Sequence, residues 1–169
     1  MIRTIETFGN ELLHSRAKEV SEITESVVEI VDDMVDTMYA VSGVGLAAPQ
    51  IGVPLRIFVA DSSFGKEEDG LIIMINPEVV SRVGIQNETE GCLSLPDFEA
   101  LVPRPAEIVV SGLSRSGELQ TIKGTGLLAR AFQHEVDHLD GMLFLDRLRG
   151  IKREMILRRI RKLRRDGRW

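Results

Sequence analysis

At 169 residues, 43% of them hydrophobic and 28% charged, the chain has the size of one ordinary domain with a real core and is short for a two-lobed protease. No apolar run approaches the roughly 20 residues that span a bilayer, and the stretch MIRTIETFGNELLHSRAKEV carries no apolar block ending in a small-residue cleavage site; the expectation is a single domain over residues 1–169, cytoplasmic, with no membrane partner. The net charge of −5 conceals a division, because residues 147–169 hold eleven of the 21 Lys and Arg against only Glu154 and Asp166, so this segment is strongly basic and residues 1–146 strongly acidic.

Taken in chain order, the first periodic segment lies between Thr24 and Ser42, where Val27, Ile30, Val31, Met34, Val35, Met38 and Tyr39 recur at three- and four-residue spacing. This spacing predicts an amphipathic helix with Thr24 as N-cap and Gly43 as its stop. Its apolar stripe is read as core packing. GVGLAAPQIGVP at 43–54 is too rich in Gly and Pro for regular structure. Short β-like runs follow, LRIFVA at 55–60, LIIMIN at 71–76 and EIVVSGL at 107–113, with a charged loop FGKEEDG at 64–70 and a hairpin turn SRSGEL at 114–119. From Thr125 the period returns to that of a helix, with Leu127, Leu128, Ala131, Phe132 and Leu139 on one face and an end near Gly141. A last helix is expected from about Ile151 to Leu163, with Ile151, Met155, Ile156, Ile160 and Leu163 on its apolar side. Helices and short strands without βαβ alternation predict an α+β domain, its mostly antiparallel strands around the helix at 125–141, closed by a basic C-terminal helix.

The central helix carries QHEVDH at 133–138, the H-E-x-x-H pattern. His134 and His138, four apart, can aim at one ion, with Glu135 beside them as a base. The chain has three histidines and two of them stand at this spacing, which favours a metal site over two ordinary histidines. A catalytic ion normally takes a third protein ligand and leaves one position open. No histidine follows His138; Gly141 matches the metzincin continuation, but Phe144 stands where its histidine would be. Glu154 lies within the basic helix and is read as an ion-pair partner, and His14 in ELLHSR as a surface histidine. Cys92, the single cysteine, sits in TEGCLSLP, where Gly91 permits close backbone approach and Pro96 ends the segment. An unpaired cysteine is ordinarily a small buried hydrophobe and suits a reducing compartment. A thiolate is also a strong soft ligand, and elimination leaves Cys92 with His134 and His138 as a three-ligand set.

GVGLAAPQ at 43–50, EGCLSLP at 90–96 and QHEVDH at 133–138 resemble, in order and spacing, the three motifs of the peptide deformylase family, and DTMYA at 36–40, INPE at 75–78, LVPRP at 101–105 and GLLAR at 126–130 resemble further family segments. The resemblance implies removal of the formyl group from the N-terminal formylmethionine of nascent polypeptides, with release of formate. It implies Cys92, His134 and His138 as ligands of one divalent ion, Fe²⁺ physiologically, with Zn²⁺, Ni²⁺ or Co²⁺ able to occupy the site. Glu135 would carry protons, and the Gln50 amide and Leu93 N–H would receive the oxyanion. Gly43, Val44 and Gly45 would run beside the substrate backbone, Gly45 also next to the reacting group, and the methionine side chain would enter a pocket near Val44, Leu93, Ala131 and His134. Glu99 stands where some relatives carry arginine and Arg130 where an apolar residue is frequent; Glu90 and Arg104 are candidates for an ion pair behind Cys92. The basic tail resembles a C-terminal helix that docks on the ribosome, with ribosomal RNA as the expected contact. Two rivals remain, a small H-E-x-x-H metallopeptidase and a non-catalytic ribosome-associated protein with a structural metal.

Overall fold

A computed structural model describes residues 1–169. The first apolar stripe forms helix α1, Glu25–Ala40, which buries Val27, Val31, Met34 and Met38 and stops where the Gly43 N–H returns to the Met38 carbonyl at 2.9 Å. Seven strands follow: β1 (Gly45–Ala47), β2 (Ile57–Ala60), β3 (Ile72–Val83), β4 (Gln86–Cys92), β5 (Leu95–Arg104), β6 (Glu107–Leu113) and β7 (Leu119–Thr125). Then come α2 (Gly126–Leu139), the short α3 (Phe144–Arg147) and α4 (Ile151–Arg165). Every strand pairing is antiparallel. Five strands make one sheet in the order β1-β2-β3-β6-β7, and β4 and β5 make a separate hairpin.

The sheet lies between two helices. Strand β2 is buried on both faces, which is why it reads as an unbroken apolar run rather than an alternation. Its Ile57 and Val59 pack with Val31, Met34 and Met38 of α1. Phe58 and Ala60 meet Phe132 and Val136 of α2 on the opposite side. A third cluster joins Leu95, Phe98 and Val102 of the hairpin to Phe144 of α3 and Ile160 of α4. The hairpin is thereby held against α3 and α4, and Arg104 of β5 reaches Asp137 of α2 at 2.6 Å, so the segment bearing Cys92 and the helix bearing the two histidines are parts of one packed body.

Three expectations need correction. The strands are not all short: β3 continues to Val83, past the apolar run. At Asn76 the backbone enters the left-handed region (φ 51°), and the side-chain amide bonds both the N–H and the carbonyl of Val20 at 2.8 Å. This absorbs a register break against β6 and lets the strand resume at Glu78. Pro96 does not end its segment but lies inside β5, where Gly91 pairs with Glu99 while Cys92 pairs with Leu95; Pro96, Asp97 and Phe98 form the intervening bulge. On α4, Ile151 and Met155 are 76% and 65% exposed. Nine residues at about 100° each put Ile151 on the face opposite Ile160, and the packed stripe is Ile156, Leu157, Ile160 and Leu163.

Candidate active site

All residues from Ala129 to Leu139 are buried, so α2 runs through the interior and presents its polar residues to other protein groups rather than to solvent. The four-residue spacing stacks His134 and His138 with ring centroids 4.8 Å apart and Nε2 atoms 3.2 Å apart. The turn after β4 brings the Cys92 Sγ to 3.3 Å from His138 Nε2. All three donor atoms lie within 4.8 Å of one another. Tetrahedral ligands bound at about 2.0–2.1 Å (N) and 2.3 Å (S) would stand roughly 3.3–3.6 Å apart, so the set has the span of one ion's coordination shell. Two imidazole lone pairs and a sulfur at such distances repel one another unless a cation or proton lies among them. The donor set therefore fits a divalent metal.

The carboxylate of Glu90 fixes the tautomer of the first histidine. Its Oε1 accepts from His134 Nδ1 at 2.6 Å, which puts the proton on Nδ1 and turns the Nε2 lone pair toward Cys92 and His138. Burial pushes His138 well below the usual imidazole range, and neutral imidazole is the ligating form. The expected Glu90–Arg104 pair is present and wholly buried: Arg104 Nε and Nη2 donate to Glu90 Oε2 and Oε1 at 3.0 and 2.5 Å. It is part of a larger network, since Arg104 Nη1 also reaches Asp137 at 2.6 Å and Arg147 donates twice to the same Asp137. Burial alone would raise Glu90, but the hydrogen bonds from His134 and Arg104 reverse it and hold the carboxyl far below its ordinary range.

Glu135 is 3% exposed, and its Oε2 has no hydrogen-bond partner. Burial pushes its carboxyl up to about 7, a value suited to exchanging protons near neutrality and one that a neighbouring dication would lower. Its other oxygen explains a glycine. A Cβ at Gly45 would fall 2.5 Å from Glu135 Oε1, and neither Gly43 nor Gly45 has positive φ, so the glycine at 45 makes room for the carboxylate rather than serving a turn. Gly45→Ala should displace that carboxylate, lowering formate release by about 10²-fold and stability by about 1–3 kcal/mol, as read from kcat at full metal loading and from denaturant midpoints.

Gln50 lies in the 3₁₀ turn Ala48–Ile51 and is 1% exposed. Its Oε1 accepts the Ala47 N–H at 2.9 Å, so the amide cannot turn over, and its Nε2 points to Ser94 Oγ at 3.3 Å and Cys92 Sγ at 3.8 Å. Gln50 and Leu93 both line a cavity of about 720 Å³ whose other walls include Gly43, Val44, Ala131 and Glu135. One rim is β1, an edge strand of the sheet, free to pair with an extended chain on its outer side. All residues expected at the site from sequence therefore come together. His14 is exposed and packs edge-on to Phe8, and Glu154 is solvated beside Arg153 at 3.9 Å. Asp137 and Arg147 were missed; their only signal was the proximity of Asp137 to His138 in sequence.

A sulfur and two imidazoles converging beside a carboxylate with one unpartnered oxygen, in the wall of a cavity of about 720 Å³, are the donor set and base of a metal-dependent hydrolase. The family model described as polypeptide deformylase matches residues 2–154. A peptide deformylase of Acidobacterium capsulatum is 47% identical over 169 residues, covering 100% of this chain and 99% of that protein. The crystal structure of a peptide deformylase from Legionella pneumophila superposes with a TM-score of 0.91 at 44% identity, covering 99% of this chain and 98% of the other. That of Ehrlichia chaffeensis peptide deformylase in complex with actinonin gives 0.88 at 37% identity, with 95% and 96% covered. The chain belongs to the polypeptide deformylase family, metal-dependent enzymes that remove the formyl group from nascent peptides. Neither the metallopeptidase nor the non-catalytic reading is favoured.

Proposed function

We propose that this chain performs deformylation with Cys92, His134 and His138 holding one divalent ion, Glu135 moving the protons, and Gln50 with Leu93 receiving the negative charge. The observation that carries this reading is the approach of the three ligand atoms to one another beside a buried carboxylate with no partner of its own. An extended formyl-peptide runs beside Gly43, Val44 and Gly45, the segment that leads into the free edge of β1, and its methionine side chain enters the pocket bounded by Val44, Leu93, Ala131 and His134. When bound, the ion supplies Lewis acidity, lowering the pKa of water and polarising the formyl carbonyl. Glu135 takes a proton from the attacking water as the new C–O bond forms, and the Gln50 amide and Leu93 N–H donate to the oxygen that becomes negative. Glu135 then returns the proton to the departing nitrogen, the C–N bond breaks, and formate and a free amine leave.

Fe²⁺ is the proposed physiological ion. A set of one thiolate and two imidazoles also accepts Zn²⁺, Ni²⁺ or Co²⁺, and availability rather than affinity selects among them. Anaerobic purification followed by metal analysis and formate release from formyl-Met peptides tests this: iron at one equivalent with activity is expected, and an equally active protein containing only zinc would contradict it. A thiolate ligand suits a reducing compartment, which supports a cytoplasmic site of action.

We further propose that α4 carries the enzyme to the ribosome. The helix is docked on the body, with Arg159 over the Phe98 ring at 5.6 Å and the Trp169 indole N–H on the Phe8 carbonyl at 2.9 Å. Arg158, Arg161, Lys162 and Arg165 remain exposed on one face of the helix, suited to phosphate contacts. Deleting the segment would also uncover the cluster around Ile160, which is 1% exposed, so charge reversal is the cleaner probe. R158E/R161E/R165E should lose co-sedimentation with ribosomes at low salt and keep full activity on a short formyl-peptide; undiminished sedimentation would refute the role.

A further inference from the structure

Arg130 and Glu90 both line the cavity, and the charge of Arg130 is tied to Glu90. The guanidinium Nη1 donates to Glu90 Oε2 at 2.7 Å, its Nε and Nη2 are buried without partners, and the side chain is 5% exposed. A buried guanidinium with most of its donors unmatched is costly. The arrangement is also more than charge balance requires, because Arg104 already grips Glu90 with two hydrogen bonds. What Arg130 adds is position. It lies one helical turn before His134, so the two stack on one face of α2, and Glu90 spans them with Oε2 on Arg130 and Oε1 on His134 Nδ1. With Arg104 from β5 on the other side, each Glu90 oxygen accepts two hydrogen bonds.

We propose that Arg130 is a positioning residue for the metal site: by holding Glu90 Oε2 against α2 it keeps Oε1 aimed at His134 Nδ1, and so sets the direction in which His134 presents Nε2 to the ion. The inference rests on the reading of Cys92, His134 and His138 as ligands. Without Arg130, Glu90 Oε2 keeps only the Arg104 Nε–H at 3.0 Å, and the carboxylate is free to turn toward Arg104, drawing Oε1 off the histidine.

The test uses the full-length protein loaded with Co²⁺, comparing wild type, R130M and R130K. Methionine keeps the bulk and the apolar cavity wall, whereas lysine keeps a charge but offers a point donor in place of the planar fork. Removal of outer partners of metal-bound histidines typically costs 10–100-fold in metal affinity. R130M should therefore release Co²⁺ to a chelator about 10-fold faster or more, shift the visible ligand-field bands and lower kcat at equal metal content. R130K should fall between. If Arg130 only walls the pocket, R130M will alter KM for formyl-Met peptides and leave chelator release and the cobalt bands at wild-type values, which would overturn the proposal. Should R130M not fold, R130K decides: faster release than wild type supports the role, and identical release refutes it. C92S is run in parallel. Absence of a sulfur-to-cobalt band in the wild type would break the ligand assignment itself, an outcome separate from failure at Arg130.

Discussion

Glu135→Gln is expected to lower formate release by about 10²–10⁴-fold with metal content unchanged. The substitution is isosteric, so the amide occupies the space between Gly45 and α2 that the carboxylate occupies now. Neither Cys92, His134 nor His138 is bonded to Glu135, so the ligand set is left as it is. What is lost is the one buried group at the site that can take up and return a proton, a carboxyl whose Oε2 is committed to nothing else. Steady-state formate release at matched metal loading, together with thermal unfolding to show an intact fold, reads the effect. Activity within a few-fold of wild type would remove Glu135 from the proton path.

Gln50→Leu is expected to cost about 10²–10³ in kcat. The leucine is of similar volume, and Gln50 is buried, so packing changes little, but two hydrogen-bonding functions go at once. The Ala47 N–H loses its acceptor at 2.9 Å, and the cavity loses an Nε2 donor that now points past Ser94 Oγ toward Cys92 Sγ. The first loss is structural and is seen as a lower unfolding midpoint; the second is catalytic. Gln50→Glu separates them, because it retains an acceptor for Ala47 while replacing the donor with an oxygen. It should restore the Ala47 hydrogen bond without recovering rate, with the unfolding midpoint held below wild type by the buried carboxyl. Recovery of both would mean that Gln50 serves only to shape the turn.

The parts of this site that were legible in sequence are those whose chemistry is local. Two histidines at helical spacing with glutamate between them state their geometry directly, because four residues on a helix are one turn. Cys92 emerged by elimination, since so few other ligand-type residues stood in suitable surroundings. The β4–β5 hairpin was not legible, because QNETEGC has no apolar alternation: its buried residue, Glu90, is a charge satisfied by Arg104, Arg130 and His134 from distant parts of the chain. For the same reason Arg130 read as a departure in an apolar pocket, when its partner lies forty residues earlier in sequence. The reason for Gly45 was equally hidden. A turn or a passing substrate would account for a glycine there from sequence, and only the fold places Glu135 Oε1 where its Cβ would be. On α4 the arginines masked which apolar residues pack, and Leu157 displaced Ile151 and Met155 from the expected stripe.

The proposed chemistry requires one cation shared by a sulfur and two imidazole nitrogens. X-ray absorption at the metal edge of the zinc-loaded protein measures this directly. One sulfur neighbour at about 2.3 Å and two imidazole nitrogens at about 2.0–2.1 Å, with a further light-atom neighbour, are predicted, and Cys92→Ser should erase the sulfur shell alone. A spectrum without sulfur, or with four protein ligands and no light-atom position for water, would contradict it.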